Sequence, residues 1–214
     1  MTPNALARTA GTWDELAARV AACRACPELA VARSQVVVGR HPPGAGLLLV
    51  GEAPGAQEDL AGVPFVGRAG RLLDSLLAES GLGRAEVAMV NVLKCRPPRN
   101  RKPRRGEVDR CAPWLARQVE LVDPLVVCTL GGTAAEWALG RGVRVGTARG
   151  GAHRYAGRPL VVTYHPSAAI RSGPRGECMA ALLEDLRLAA RLARRPGPGA
   201  GTAAGAGAGT GAGR

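Results

Sequence analysis

The 214-residue chain has few aromatic residues and no long hydrophobic run. Aromatic residues make up 3% of the sequence, and Phe65 is the only phenylalanine. No apolar run approaches the roughly 20 residues that span a bilayer, so we expect no membrane-spanning segment. The N-terminal stretch MTPNALARTAGTWDE lacks the apolar core of a signal peptide. We therefore expect a cytoplasmic protein in a reducing compartment, where cysteines are more often metal ligands or core residues than disulfides.

Common nucleotide-binding motifs and a histidine–aspartate metal cluster are also missing. The glycine-rich stretch 51–55 has the pattern G-x-x-x-G, which matches neither the P-loop nor the dinucleotide-binding fingerprint. The sequence therefore gives no support for a phosphate cradle that binds ATP or NAD. The chain has three histidines, and they form no cluster with aspartates that would indicate a zinc-dependent nuclease.

Positive charge, by contrast, is abundant. Lysine plus arginine outnumber aspartate plus glutamate by 29 to 17, for a net charge of +12. Such an excess indicates a polyanionic partner, with nucleic acid ahead of an anionic membrane. The densest stretch is KCRPPRNRKPRR, residues 94–105, with seven cationic residues in twelve. We call this stretch the basic loop and predict that it binds phosphates.

Four short runs rich in valine and leucine predict the strands of a sheet. They are LLLV (47–50), VAMVNVL (87–93), LVVCTL (125–130) and LVVTY (160–164). Helical patterns separate them, and this alternation predicts an α/β fold with a parallel sheet covered on both faces. We expect residues 1–195 to form a single domain. The glycine- and alanine-rich segment 196–214 is expected to be a flexible tail.

Polar residues follow three of the predicted strands. Glu52 comes directly after the first, Asn91 lies near the end of the second, and His165 follows the fourth. Ligands of open α/β sheets bind at the carboxyl ends of the strands, so these residues predict a site at that edge. An amide inside an apolar strand needs hydrogen-bond partners, which favours a functional Asn91. His165 taken alone is as readily structural as functional.

Six cysteines divide into two groups. Cys128 lies inside a predicted strand and Cys178 in the last predicted helix, where we expect both to be core residues. The other four are candidate metal ligands, because two form a C-x-x-C pair and two flank the basic loop. Their spacing does not distinguish zinc from an iron–sulfur cluster. These four are Cys23, Cys26, Cys95 and Cys111.

Four motifs, together with those cysteines, resemble one enzyme family. The motifs GEAPGAQED, GVPFVGRAG, NVLKCRPPRNRKP and HPSAAIR are similar to those of the family 4 uracil-DNA glycosylases, the iron–sulfur members of their superfamily. The resemblance covers roughly residues 12–190. It implies a three-layer α/β/α sandwich with a four-stranded parallel sheet and a [4Fe–4S] cluster on the four cysteines. It also implies a monomer that excises uracil from single- or double-stranded DNA and leaves an abasic site.

The resemblance further implies roles for individual residues. It assigns catalysis to Glu52, Glu58 and His165, with the division of labour between the two glutamates left open. It assigns uracil contacts to Ala53, Phe65, Asn91 and His165, Phe65 by stacking, although Phe65 also fits a core anchor beneath the loop. It makes 167–171 a loop that wedges into the duplex. The residues expected to contact DNA are Arg96, Arg99, Arg101, Lys102, Ser167, Ile170 and Arg171.

One competing class is a non-catalytic iron–sulfur protein that binds DNA or transfers electrons. The cysteines and the positive charge suit such a protein equally well. It does not account for Phe65, Asn91 and His165 near three different strand ends. A sister group of glycosylases traps DNA covalently through a histidine in the basic loop. Residues 94–105 contain no histidine, so we expect ordinary turnover.

Overall fold

A computed structural model describes residues 2–194. The predicted tail, residues 196–214, lies outside the described residues. Across 2–194, none of the helices combines the length and the apolar character needed to cross a bilayer.

One twisted sheet forms the middle of the molecule, with its strands in the order β2-β1-β3-β5-β4. All neighbouring pairs are parallel except β4 and β5, which form an antiparallel hairpin. The expected four parallel strands are present. The short edge strand β4 was not predicted, because its three residues are partly polar and incompletely buried. The strands are β1 (Leu47–Gly51), β2 (Val87–Asn91), β3 (Val126–Leu130), β4 (His153–Tyr155) and β5 (Arg158–Thr163).

Helices cover both faces of the sheet, which confirms the predicted three layers. The helices are α1 (Pro3–Arg8), α2 (Trp13–Ala21), α3 (Pro27–Ala32), α4 (Ala56–Ala61), α5 (Arg68–Glu79), α6 (Arg105–Val122), α7 (Gly132–Leu139), α8 (Val145–Ala148), α9 (Pro166–Ser172) and α10 (Glu177–Ala193). Side chains of a strand alternate between the faces, so Leu47 and Leu49 pack with α5 and α10, whereas Leu48 and Val50 pack with α6 and α7. A third apolar cluster joins α1, α2 and α3 to α6.

The strand register brings the carboxyl ends of the parallel strands to one edge. Gly51 at the end of β1 is opposite Asn91 at the end of β2, and Leu130 of β3 is opposite Thr163 of β5. Residues that follow these strands therefore meet at that edge, as the sequence predicted.

Candidate active site

Asn91 and Phe65 meet above Gly51 at this edge. A Cβ atom on Gly51 would lie 2.5 Å from Cζ of Phe65 and closer still to Oδ1 of Asn91, so only glycine fits there. Asn91 is 3% exposed, and its side-chain amide has no hydrogen-bond partner among the described residues. A buried amide of this kind has donors and an acceptor to offer to a ligand.

Phe65 combines a buried ring with an unusual backbone. The residue is 6% exposed, packs into the core cluster beside β1, and has a φ of 56°. Its ring centroid lies 6.4 Å from that of His165, with 33° between the ring planes. Gly70 of α5 lies directly against the Phe65 carbonyl, where a Cβ atom would overlap it. Phe65 is therefore both anchored in the core and adjacent to the two polar side chains of the edge.

The carboxylate of Glu58 is occupied by backbone amides. Oε1 accepts hydrogen bonds from the N–H groups of Val66 at 3.0 Å and Gly67 at 2.8 Å, and Oε2 accepts one from Gly55 at 3.1 Å. Glu58 therefore ties the loop that carries Phe65 to the start of α4. Three donors on one carboxylate leave it little capacity to bind or activate water.

Arg84 holds the same loop from its other side, and the sequence analysis missed it. The guanidinium donates from Nη1 to the carbonyl of Phe65 at 2.9 Å and from Nη2 to the carbonyl of Pro64 at 2.5 Å. Nη1 also lies 2.7 Å from Oδ1 of Asp74 in α5. The backbone of residues 64–67 is thus hydrogen-bonded by Arg84 and Glu58, with a longer bond of 3.4 Å from Nη1 of Arg71 to the Val66 carbonyl.

Glu52 makes a different contact from Glu58. The hydroxyl of Thr133, in the first turn of α7, donates to Oε2 of Glu52 at 2.5 Å. Glu52 is half-buried, and Oε1 has no protein donor among the described residues. One oxygen is oriented by the protein while the other is available. Thr133 was not predicted from the sequence, because a threonine at a helix start carries no distinctive signal.

His165 caps helix α9 through its side chain. Nδ1 accepts a hydrogen bond from the backbone N–H of Ser167 at 3.1 Å and lies 2.9 Å from the Ser167 hydroxyl. Nδ1 is therefore the acceptor of the neutral ring, which leaves the hydrogen on Nε2. Desolvation lowers the pKa of His165 to about 4, with a further lowering by Arg171 and an opposing effect of Glu58. At neutral pH the side chain is an uncharged donor.

Residues 167–171 form part of helix α9, so the expectation of a loop there is wrong. Pro166 occupies the first helical position, where its missing N–H costs nothing, and the imidazole of His165 satisfies the N–H of Ser167. Arg171 is exposed in the last turn, and Ser167 and Ile170 are half-buried. The predicted wedge residues are therefore presented by a rigid element.

The basic loop projects two exposed residues in the left-handed conformation. Arg99 has a φ of 54° and Asn100 a φ of 55°, and the amide oxygen of Asn100 accepts a hydrogen bond from Nε of Arg96 at 2.8 Å. This bond closes the turn between residues 96 and 100, and Arg99 within it is exposed to solvent. Lys102 is also exposed.

Arg101, in contrast, is paired with carboxylates. Its guanidinium lies 2.6 Å from Glu107 and 3.2 Å from Glu28, and hydrogen bonding to Glu107 raises its pKa. Arg104 pairs with the same Glu28. Arg101 therefore joins the loop to α3 and α6, and its charge is balanced within the protein.

The four candidate metal-ligating cysteines lie in the third apolar cluster, around Trp114 of α6. Burial raises the pKa of Cys111 to about 12 and raises that of Cys95, whose sulfur accepts a hydrogen bond from Arg33 at 2.8 Å. Over residues 2–194, no three histidine, cysteine, aspartate or glutamate side chains stand close enough together to hold a single metal ion. The predicted core position of Cys128, in β3, is confirmed, whereas Cys178, in α10, is only partly buried and packs against the core from outside.

Lys94 links this cluster to the sheet edge. Its side chain is buried, with the residue 1% exposed, and Nζ donates to the backbone carbonyl of Asn91 at 2.5 Å. Burial lowers the pKa of Lys94 to about 8, and the neighbouring Cys111 and Cys95 oppose that shift. A lysine that was counted among the phosphate-binding cations of the basic loop is thus part of the interior.

Comparison with known proteins identifies the family. A model of the uracil DNA glycosylase superfamily matches residues 38–187. A type-4 uracil-DNA glycosylase of Thermotoga maritima is 40% identical over 181 residues, which cover 84% of this chain and 93% of that protein. One of Pyrobaculum aerophilum is 42% identical, covering 72% of this chain and 83% of that protein. A type-5 uracil-DNA glycosylase of Mycobacterium leprae is 33% identical, covering 86% and 97%. The chain therefore belongs to the uracil DNA glycosylase superfamily and, within it, to the type-4 uracil-DNA glycosylases.

Proposed function

We propose that the protein is a DNA repair enzyme that removes uracil from DNA by hydrolysing its N-glycosidic bond. The observation that carries the proposal is the buried, unpartnered amide of Asn91 beside the Phe65 ring and the uncharged donor of His165. A flat ring, an amide and a hydrogen-bond donor are the groups that a flipped uracil requires. The family and its type-4 relatives support the same activity.

Binding begins with removal of the nucleotide from the helix, because a base inside the stack is out of reach. The flipped uracil stacks on Phe65, and the Asn91 amide donates to O4 while accepting from N3–H. Cytosine presents a donor and an acceptor at the opposite places, so the same amide is mismatched with it. These contacts select the base before any bond is broken.

Cleavage of the bond between N1 and C1′ sends its electron pair to the base. The departing uracil is an anion with charge on O2, and Nε2–H of His165 stabilises that charge where it develops. The sugar becomes an oxocarbenium-like cation. We assign to Glu52 the role of orienting water towards C1′ and accepting its proton, since Glu58 is occupied by three backbone amides. The products are free uracil and an abasic site.

The direct test incubates the purified protein with a single-stranded oligonucleotide that contains one uracil. Strand breakage after alkali, together with release of free uracil, is the expected result. Matched oligonucleotides with thymine or cytosine at the same position serve as controls and should remain intact. DNA binding without any uracil release would contradict the proposal and favour the non-catalytic class.

DNA contacts are proposed for the exposed cations of two elements at the same edge. The basic loop offers Arg99 and Lys102, with Arg96 shaping its turn, and α9 offers Arg171 beside Ser167 and Ile170. Arg101 is left out of this set, because Glu107 and Glu28 already balance its charge.

The double variant Arg99→Glu/Lys102→Glu is expected to weaken binding of uracil-containing and undamaged DNA alike. Removing two phosphate contacts should also reduce the slope of log affinity against log salt by about 2. Fluorescence anisotropy titrations at several salt concentrations measure both effects. The control Arg8→Glu/Arg187→Glu makes the same change in net charge at exposed positions of α1 and α10. An equal slope change in that control would contradict a local role of the loop.

We further propose that Cys23, Cys26, Cys95 and Cys111 hold a [4Fe–4S] cluster. The surroundings fit such a group, because the Nε1–H of the buried Trp114 has no partner among the described residues and sulfur ligands of a cluster accept such donors. Each of the four cysteines would supply one thiolate ligand to the cluster, so the four sulfurs are not required to meet at a single metal ion. When bound, the cluster supplies iron–thiolate bonds that cross-link the start of α3, the basic loop and α6.

Cys95→Ala is expected to abolish the brown colour of the protein, with its broad absorbance near about 400 nm, and to lower iron below about four atoms per chain. Cys128→Ala removes a buried thiol of β3 from the core and should leave colour and iron unchanged. Visible absorbance and iron analysis of the two purified variants measure the outcome. A colourless wild-type protein with stoichiometric zinc would overturn the assignment.

A further inference from the structure

We propose that Arg84, together with Asp74, is a positioning residue that sets the stacking surface of Phe65. This inference rests on the proposed function, since it takes Phe65 as the surface on which the flipped uracil lies. It assigns a role in base recognition to an ion pair that does not itself touch the base.

The backbone at Phe65 needs external support. A φ of 56° is rare for a bulky residue, and such conformations persist only where the surroundings impose them. Glu58 fixes the N–H groups of Val66 and Gly67, but the two carbonyls before them point the other way. Arg84 is the side chain that satisfies these carbonyls, at 2.9 Å and 2.5 Å. Without Arg84, the carbonyls of Pro64 and Phe65 lose their side-chain donors.

The chemistry of arginine suits this task. A guanidinium presents several N–H groups in a rigid plane, so one side chain reaches two consecutive carbonyls and a carboxylate. Asp74 of α5 fixes the plane of the guanidinium through Nη1. A lysine has a single nitrogen on a flexible stem and is a poor substitute for a fork that must join three groups.

Arg84 also connects Phe65 to the strand that carries Asn91. It lies in the one-turn 3₁₀ helix Arg84–Glu86, which leads directly into β2, and β2 ends at Asn91. The two groups that contact the base are therefore attached to one short segment, Asn91 covalently and Phe65 through the guanidinium. This attachment fixes the distance between the stacking surface and the amide before DNA arrives.

The first experiment observes Phe65 directly. Because the chain has one phenylalanine, incorporation of 4-fluorophenylalanine gives a single ¹⁹F resonance from Phe65. Arg84→Met should shift and broaden this resonance. The control Arg149→Met breaks the ion pair between Arg149 and Asp185. The side chain of Arg149 is 24% exposed and that of Arg84 is 22% exposed, so the two arginines are matched in burial. An unchanged resonance in Arg84→Met, or an equal change in Arg149→Met, would overturn the proposal.

The second experiment is a double-mutant cycle on single-turnover uracil excision. Phe65→Ala should slow excision by roughly tenfold to a hundredfold through lost stacking. Arg84→Met alone should slow it by about tenfold and should have no further effect in the Phe65→Ala background. Equal slowing in both backgrounds would show that Arg84 acts independently of Phe65.

The variant Arg84→Lys keeps a positive charge next to Asp74. If the protein needs only this charge in order to fold, the variant folds normally. We expect it to slow excision nearly as much as Arg84→Met, because a single ammonium on a flexible stem does not reproduce the planar fork whose two nitrogens hold the two carbonyls. Full activity in Arg84→Lys would contradict the positioning role. The wild-type assay separates the two proposals, since absence of uracil release from wild type refutes the function, whereas wild-type release with unaffected Arg84 variants refutes only the inference.

Discussion

Asn91→Asp is expected to reduce uracil excision by about 10⁴-fold, because a site built on a polar match leaves buried groups unpaired when the match is lost. Aspartate has nearly the shape of asparagine, so it should fit above Gly51 beside the Phe65 ring as the amide does. An ionised carboxylate accepts hydrogen bonds but cannot donate to O4 of uracil. It can accept from the amino group of cytosine, so weak cytosine release is expected in exchange.

The measurement is single-turnover excision on matched uracil and cytosine oligonucleotides, with the visible absorbance as a check on the proposed cluster. The control Asn100→Asp introduces the same charge in the basic loop and keeps an oxygen that can accept from Arg96. It should retain nearly full excision once saturating protein is used. Undiminished uracil release by Asn91→Asp would show that the amide does not recognise the base.

His165→Ala should slow the cleavage step by about 10²- to 10³-fold, the usual cost of removing one donor to a developing anion. Binding of DNA that carries an uncleavable uracil analogue should change little, because the charge appears only during bond breaking. His153→Ala is the matched control, since His153 is a half-buried histidine in β4 whose Nε2 contacts the backbone carbonyl of Ala148 at 2.8 Å. Equal losses in binding and cleavage would reduce His165 to a structural role.

The lowered pKa of His165 gives this prediction a pH dependence. With a pKa of about 4, the ring remains a neutral Nε2–H donor from pH 8 down to about pH 5, so acidification over that range should not change its protonation. In the unfolded chain the histidine has its ordinary pKa of 6.5, so below this pH the unfolded state binds a proton that the folded state does not. The folded state is therefore destabilised as the pH falls from 6.5 towards about 4. NMR titration of the His165 ring should find no inflection near 6.5, and an inflection there would contradict the buried neutral form.

Much of the fold was predictable because the parallel strands are buried on both faces. Short continuous apolar runs such as LLLV are typical of parallel strands that helices cover on both faces. The register of β1 and β2 then places Gly51 opposite Asn91. The hairpin strand β4 escaped prediction because His153–Tyr155 is short and partly polar. Residues 167–171 were expected to form a loop but are helical. The helix was missed because its N-terminal cap is an imidazole, which is an uncommon helix cap.

Site residues could be predicted where a polar residue type interrupts an apolar pattern. They could not be predicted where the residue's partner lies far away in the sequence. Asn91 was noticed because an amide interrupts an apolar strand. Arg101 was expected to contact DNA and Arg84 was not singled out, and only the folded chain brings them to Glu107 and Asp74. Long-range pairs of this kind leave no local pattern, so charge runs overestimate the number of cations that are free to bind DNA.

The burial of Lys94 also has a practical consequence for labelling chemistry. The chain contains only two lysines, Lys94 and Lys102, and all its other cationic side chains are arginines. Lys94 is 1% exposed, whereas Lys102 is exposed on the basic loop. Amine-reactive reagents, among side-chain amines, should therefore modify Lys102 selectively in the folded protein. A fluorophore or cross-linker attached to the Lys102 side chain provides a reporter of DNA contact at the basic loop without any engineered residue.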